Sequence, residues 1–266
     1  MKIIEIIGPP CSGKTYFKNA LETKLKNDKI YVSTYSKTFF KFVFKEKNLT
    51  LLDLITLLYF KYFRLNKELN IIKKSKNQKK LIKHSSLKNP ISDFFYKNYF
   101  EICKKISLNK NKKIQKIIYS KIQKNQHVNN LNRNAYLWFI EFFAYLNILN
   151  KNKKKVEVLI DDEGVMQKLF IFSELKFDKN FTKKYINLSK DIDLLIHLKT
   201  TKNKINQRSV KRFGSNKFYY RNTKHLNEIL KYDKKITNLF KNNNITLLNI
   251  KFYNNIPNKI YERIKK

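Results

Sequence analysis

Residues 8–15 read Gly-Pro-Pro-Cys-Ser-Gly-Lys-Thr, and what flanks them restricts the fold more than any other stretch. Before them stands KIIEII, residues 2–7, an apolar run of strand length. After them a helical pattern runs from Lys14 to about Lys26. The octapeptide fits G-x-x-x-x-G-K-[ST] at every fixed position. Each fixed residue has a physical reason. Gly8 lets the chain turn sharply as it leaves the strand, and Gly13 lets backbone N–H groups approach an anion closely. The helix that follows turns its positive end toward that anion. Lys14 offers a point charge to phosphate oxygens, and Thr15 offers a hydroxyl to a hard cation. Gly8, Pro9, Pro10, Cys11, Ser12, Gly13, Lys14 and Thr15 are therefore assigned to a phosphate-cradling loop. Cys11 is read as filler at a permissive position.

A second β-rich run, Lys29–Tyr35 (KIYVSTY), predicts a strand–helix–strand start and hence a parallel sheet. From about residue 36 to 155 the rhythm changes. Apolar residues recur at helical spacing in Leu49–Leu69, Ile91–Ile106, Ile114–Ile122 and Leu131–Leu149, which predicts a helical insertion. The alternation of strands and helices then resumes. Val156–Ile160, Asp193–Leu198 and Ile245–Ile250 are predicted strands. Val165–Phe172, Thr200–Phe213, Thr223–Lys241 and Pro257–Lys266 are predicted helices. Four Gly and four Pro in 266 residues are too few turn formers for an all-β protein of many short strands.

Two further clusters carry chemistry. The strand VEVLI runs into Asp161-Asp162-Glu163-Gly164, three consecutive acids in a chain with only 20. A phosphate loop needs a cation partner from a neighbouring strand tip, so Asp161 or Asp162 is expected to hold the cation, with Asp162 preferred. Glu163 is the candidate to activate an attacking hydroxyl or to orient the metal shell. The second cluster follows DLLIHL. Arg208 and Arg212 lie four residues apart on one helical face, as a lid over phosphates requires. Six of the 58 basic residues are Arg, so two arginines at this spacing stand out. His197, inside that strand, is read as a hydrogen-bonded core histidine.

The formal net charge is +38. Two readings compete: a nucleic-acid surface, or Lys written onto exposed positions by a compositional skew toward Lys, Asn and Ile. The scarcity of Arg, the usual residue for bidentate base and phosphate contacts, favours the second. Two cysteines, Cys11 and Cys103, imply a reducing compartment with no disulfide framework. No secretory leader is legible, and the longest apolar stretches, Leu49–Phe60 and Ala135–Leu149, fall short of a bilayer span and carry Asp53 and Glu141. The expectation is a cytoplasmic protein with no membrane partner.

With these elements placed, the chain resembles the P-loop kinase group, which includes nucleoside monophosphate kinases, thymidylate-kinase-like proteins and deoxynucleoside kinases. The resemblance covers about residues 1–35 and 155–266. It rests on GPPCSGKT, on VEVLIDDEG and on DLLIHLKTTKNKINQRSVKR, with ITLLNI and a terminal helix closing the frame. It implies a single three-layer α/β domain of the P-loop NTPase fold. Its five-stranded parallel sheet would have the order 2-3-1-4-5, with a large helical insertion about 36–155. It also implies ATP with Mg²⁺ as donor, and an acceptor bound under the helices after the second strand. By that correspondence Lys14, Thr15, Asp162, Arg208 and Arg212 take phosphate, metal and lid roles. Asp-Glu-Gly stands where relatives carry D-R-Y or E-R-S beside a nucleotide or nucleoside acceptor. The acceptor is therefore open among nucleotides, nucleosides, sugars and other small alcohols, with Arg133 as an anchor for an anionic one. The expected activity is γ-phosphoryl transfer from Mg-ATP. The alternative is hydrolysis coupled to a macromolecule such as nucleic acid.

Overall fold

A computed structural model describes residues 1–74, 90–107, 112–125, 133–173, 175–187, 192–213, 223–241, 246–251 and 258–265. Strand β1 (Lys2–Ile7) lies at the centre of a five-stranded, all-parallel sheet. Its neighbours are β3 (Val158–Asp161) on one side and β4 (Leu194–Lys199) on the other. Outside these lie β2 (Val32–Ser33) and β5 (Leu247–Lys251), so the order is β2-β3-β1-β4-β5. This is the order that the resemblance implied.

Side chains alternate across a strand, so β1 feeds two cores. Ile4 and Ile6 pack with Phe17, Leu21 and Leu25 of helix α1 (Lys14–Asn27), and with the closing helix α11 (Asn258–Lys265) through Ile260 and Ile264. Ile3 and Ile7 face the other way, into a larger cluster. That cluster continues from the sheet through α2 (Tyr35–Phe42), α4 (Pro90–Ser107), α5 (Lys112–Gln123) and α6 (Arg133–Lys151). It includes Phe39, Tyr99, Ile102, Ile118, Phe139 and Ile148. Helix α3 (Leu51–Lys74) joins it through Leu57. Helices thus cover both faces of the sheet, and the 36–155 region shares its buried core with the strands.

Several elements differ from expectation. The run Lys29–Tyr35 supplies a strand of only two residues. Lys29 takes a left-handed φ of 62°, and the Ile30 N–H returns to the Leu25 carbonyl, so the first residues close α1. At the other end the Thr34 hydroxyl accepts the Lys37 N–H and caps α2, which ends the strand at Ser33. The helix expected over Val165–Phe172 is α7 (Val165–Lys168) followed by a 3-10 turn, Leu169–Phe172. Helix α8 (Lys179–Ile186) went unforeseen in the sequence; Asp178 caps it by accepting the Phe181 N–H. Helices α9 (Lys202–Phe213) and α10 (Thr223–Lys241) stand where periodicity placed them. Ile245 and Pro257, the expected starts of the last strand and helix, lie outside the described residues. Among the described residues no helix is long and apolar enough to cross a membrane.

Candidate functional site

The loop between β1 and α1 is tightly wound. Gly8 has φ 150° and Gly13 has φ 100°, both in the region that side chains avoid. A Cβ on Gly8 would also stand 3.0 Å from the Leu198 carbonyl oxygen and 3.0 Å from Ser12 Oγ. Cys11 holds a φ of 60° without that freedom, and it packs against the larger core cluster, in keeping with a filler role. The Ser12 N–H donates to the Pro9 carbonyl at 3.1 Å, closing the turn. Gly13 begins α1 with no side-chain cap, and the first turn of the helix carries no acid. Ser12 Oγ is buried and has no hydrogen-bond partner.

Two cations rest on this loop. Lys14 Nζ donates to the Gly8 carbonyl at 3.0 Å and the Pro9 carbonyl at 3.2 Å. Its ammonium end is enclosed, and burial pulls its pKa down to about 8 against the opposing pull of Asp162 and Glu163. Arg208, on α9, donates from its guanidinium to the Ser12 carbonyl at 2.6 Å. Lys14 and Arg208 lie 194 positions apart in the sequence, and the fold brings both side chains to one loop. Arg212 lies one turn further along α9, and Arg133 opens α6; both side chains fall outside the described residues, as does Arg221.

The acidic turn meets the loop from β3. The Thr15 hydroxyl donates to Asp162 Oδ2 at 2.6 Å. The other oxygen of Asp162 takes Lys18 Nζ at 2.7 Å. Burial raises the Asp162 carboxyl, but Lys18 and Thr15 outweigh it and hold the pKa below the ordinary carboxylate range. Asp161, the alternative cation ligand from the sequence, has another job. Its Oδ2 accepts the Tyr35 N–H at 3.0 Å and its Oδ1 accepts the Glu163 N–H at 2.9 Å. Burial, with Asp162 alongside, lifts Asp161 to about 6 despite the opposing charge of Lys18. Asp161 therefore ties the start of α2 to the acidic turn, and of the two acids it is Asp162 that meets Thr15. Glu163 is exposed on the rim of the same turn.

Three residues of this site escaped the sequence reading. Lys18 lies one turn beyond Lys14 on α1, a legible spacing, yet one more Lys carries no signal among so many. Gln167 on α7 accepts the Gly8 N–H at 3.1 Å, which nothing in the sequence announced. Glu5 did leave a trace, an acid inside an apolar strand. It is wholly buried and faces Asp161 across the β1–β3 register. Its carboxylate accepts from Tyr35 Oη, the Val165 N–H and the Met166 N–H, each at 2.9 Å. Burial, though opposed by those bonds, raises its pKa to about 7. Gly164 packs directly on it: a Cβ there would lie 2.2 Å from the Glu5 Cδ. His197 is buried, with Nδ1 2.8 Å from Asn249 Oδ1 and Nε2 2.9 Å from Asp233 Oδ1, a core histidine as expected.

Among the described residues no group of three His, Cys, Asp or Glu is placed to cage a metal. What the site offers a cation is one hydroxyl and one carboxylate oxygen, 2.6 Å apart at the mouth of the loop. These are hard oxygen donors of the kind Mg²⁺ takes, and a cation held by two protein ligands completes its shell from water and phosphate. The residues fit Mg²⁺ carried in with a phosphate ligand. No family model, curated protein or solved structure matches the chain.

Proposed function

We propose that this chain is a phosphotransferase of the P-loop kinase type, transferring the γ-phosphoryl group of Mg-ATP to a small acceptor. The observation that carries the reading is the meeting of Thr15 and Asp162, with Lys14 and Arg208 on the loop that Thr15 ends. Phosphoryl transfer asks a protein chiefly for positioning and for charge aimed at the phosphate oxygens. Lys14 and Arg208 supply positive charge at the two ends of the loop, on the Gly8 and Pro9 carbonyls and on the Ser12 carbonyl. Both now rest on backbone carbonyls, contacts that they exchange for phosphate oxygens. The Ser12 hydroxyl is buried with no hydrogen-bond partner and α1 begins with no side-chain cap, an arrangement suited to an anion. When bound, Mg²⁺ neutralises and orients the phosphates at Thr15 and Asp162.

The acceptor belongs on the side of the helical insertion. Helix α2, its first element, is tied to the acidic turn through the Tyr35 N–H and Asp161. A molecule held against these helices is therefore held at a fixed distance from Asp162 and Glu163. Glu163, on the rim, is the base that would take the proton of an attacking hydroxyl. Cys11 and Cys103, neither in a disulfide, support a cytoplasmic setting.

The test is to incubate the protein with Mg-ATP and a pooled library of nucleosides, nucleotides and sugars, and to search for new phosphorylated masses. ADP release that depends on one acceptor class supports the proposal and names the class. ADP release that answers only to added DNA or RNA supports hydrolysis coupled to nucleic acid instead. No ADP under any of these conditions sinks both.

A further inference from the structure

The charge balance around Asp162 has a consequence for how a cation enters. Asp162 is a buried, ionised carboxylate, and an isolated one would be costly. Both of its oxygens are engaged, Oδ2 by Thr15 and Oδ1 by the Lys18 ammonium at 2.7 Å. Lys18 is itself only 17% exposed along its side chain. Its ammonium is held well above the ordinary lysine range, since Asp162 and Asp161 outweigh the burial that lowers it. A divalent cation on the Thr15–Asp162 pair would share the Asp162 carboxylate with this ammonium, and Lys14 acts on the same carboxylate. Two positive charges so close, and partly shielded from water, repel strongly.

We propose that Lys18 is the resting counter-ion of Asp162, so that the nucleotide-free protein refuses a divalent cation and admits it only together with a triphosphate. This rests on the reading of residues 8–15 as a triphosphate site. The triphosphate brings the compensating negative charge. Its oxygens give the Lys18 ammonium a new partner, and Asp162 is released to the metal. Lys18 acts here through Asp162, as a positioning residue that couples metal entry to nucleotide entry.

The probe is Mn²⁺ alone, followed by loss of its free-ion electron paramagnetic resonance signal. Wild-type protein without nucleotide should bind Mn²⁺ weakly, and much more tightly once ATP is added. Lys18→Met keeps the apolar stem and removes the charge, so its nucleotide-free Mn²⁺ affinity should rise at least about tenfold. Lys18→Arg should stay as weak as wild type. Adding Asp162→Asn to Lys18→Met should cancel the gain, which places the new affinity on that carboxylate. Equal Mn²⁺ affinity in wild type and Lys18→Met overturns the proposal. So does wild-type protein that binds Mn²⁺ as tightly without ATP as with it, a result that needs no variant to fold. ATP binding measured in EDTA separates the two layers. Normal ATP binding with unchanged Mn²⁺ behaviour refutes the role of Lys18 alone, whereas no ATP binding with or without metal refutes the triphosphate site and the proposal with it.

Discussion

The sheet end and the helical insertion are held together in different ways. At the sheet end, single polar contacts fix single atoms: Thr15 on Asp162, Gln167 on Gly8, and Val165, Met166 and Tyr35 on Glu5. The insertion is held by broad aromatic contact. Phe60 stacks on Tyr99 at 4.1 Å, Tyr59 on Phe95 at 4.7 Å, and Phe39 packs on Tyr145 at 4.8 Å. Among its buried polar groups, Glu141 is bound by two tyrosine hydroxyls, from Tyr99 at 2.7 Å and Tyr145 at 2.6 Å. Directional contacts between small groups fail when one atom moves. Aromatic packing spreads its energy over many weak contacts and yields gradually. Under the proposed function, the first kind of packing would serve the phosphate chemistry and the second the holding of the acceptor.

The largest expected effect tests whether chemistry resides only in the frame. Lys14→Ala removes the ammonium on the loop and should lower kcat/KM for ATP at least about a thousandfold, on the order of 4 kcal/mol of transition-state stabilisation. The urea midpoint should not fall, since the lost group is a partly desolvated charge. Wild-type turnover in this variant would remove the loop from the mechanism.

Next in size is the pH dependence of the buried acid beneath the acidic turn. The Glu5 pKa is raised from 4.5 to about 7, so the folded protein holds this proton where the unfolded chain releases it. Stability from Glu5 is therefore fully present below about pH 4.5 and is lost as pH rises toward 7. The loss is on the order of 3 kcal/mol. Glu5→Gln cannot titrate. Urea unfolding at a series of pH values should show wild type losing ground against Glu5→Gln as pH rises from 4.5 to 7.5. Parallel curves would mean that water reaches Glu5 in the folded protein.

Glu5 also shows what the sequence could and could not disclose. The parallel α/β frame and the glycine turn at residues 8–15 were legible because each rests on local pattern: apolar runs of strand length, glycines at fixed spacing, helices between strands. The strand order came only from the resemblance. Arg208 stood out because arginine is rare in this chain, but its contact with the Ser12 carbonyl on the loop was not foreseen. The short β2 was hidden because residues 29–35 are β-formers by type, while their backbone groups serve a helix end, a two-residue strand and a helix cap in turn. The split roles of Asp161 and Asp162 were hidden for a related reason. Adjacent strand residues point to opposite faces, but which acid meets Thr15 depends on the register of β3 against β1, a long-range fact. Lys18 and Gln167 act through helices whose rotation only packing decides.

A smaller effect tests how far a disturbance travels inside the frame. Gly164→Ala adds one methyl group, which meets the Glu5 carboxylate with no room to spare. The backbone at Gly164 is ordinary, with φ −71°, so the cost is steric. The start of α7 must shift, loosening the Val165 and Met166 bonds to Glu5 and moving Gln167 off the loop. A loss of about 2 kcal/mol in urea unfolding is expected, with a several-fold rise in KM for ATP. Lost stability with an unchanged KM would show that the loop keeps its shape without Gln167.

The smallest effect belongs to the insertion. Tyr145→Phe deletes one hydroxyl and keeps the ring that packs on Phe39. Glu141 Oε1 then still accepts from Tyr99, so the carboxyl group is not orphaned. The cost should be about 1 kcal/mol, the net worth of a single buried hydrogen bond whose partner remains satisfied. Because this hydroxyl bonds Glu141 and Tyr99, both in the helical layer, KM for ATP should match wild type within error. A change in KM for ATP as large as that from Gly164→Ala would mean that the aromatic layer and the loop at residues 8–15 respond as one unit, and the division between directional and diffuse packing would fail. An unchanged KM with reduced stability would leave the insertion as a scaffold that tolerates substitution, the property an acceptor-holding region needs if its ligand is to vary while the phosphate chemistry stays fixed.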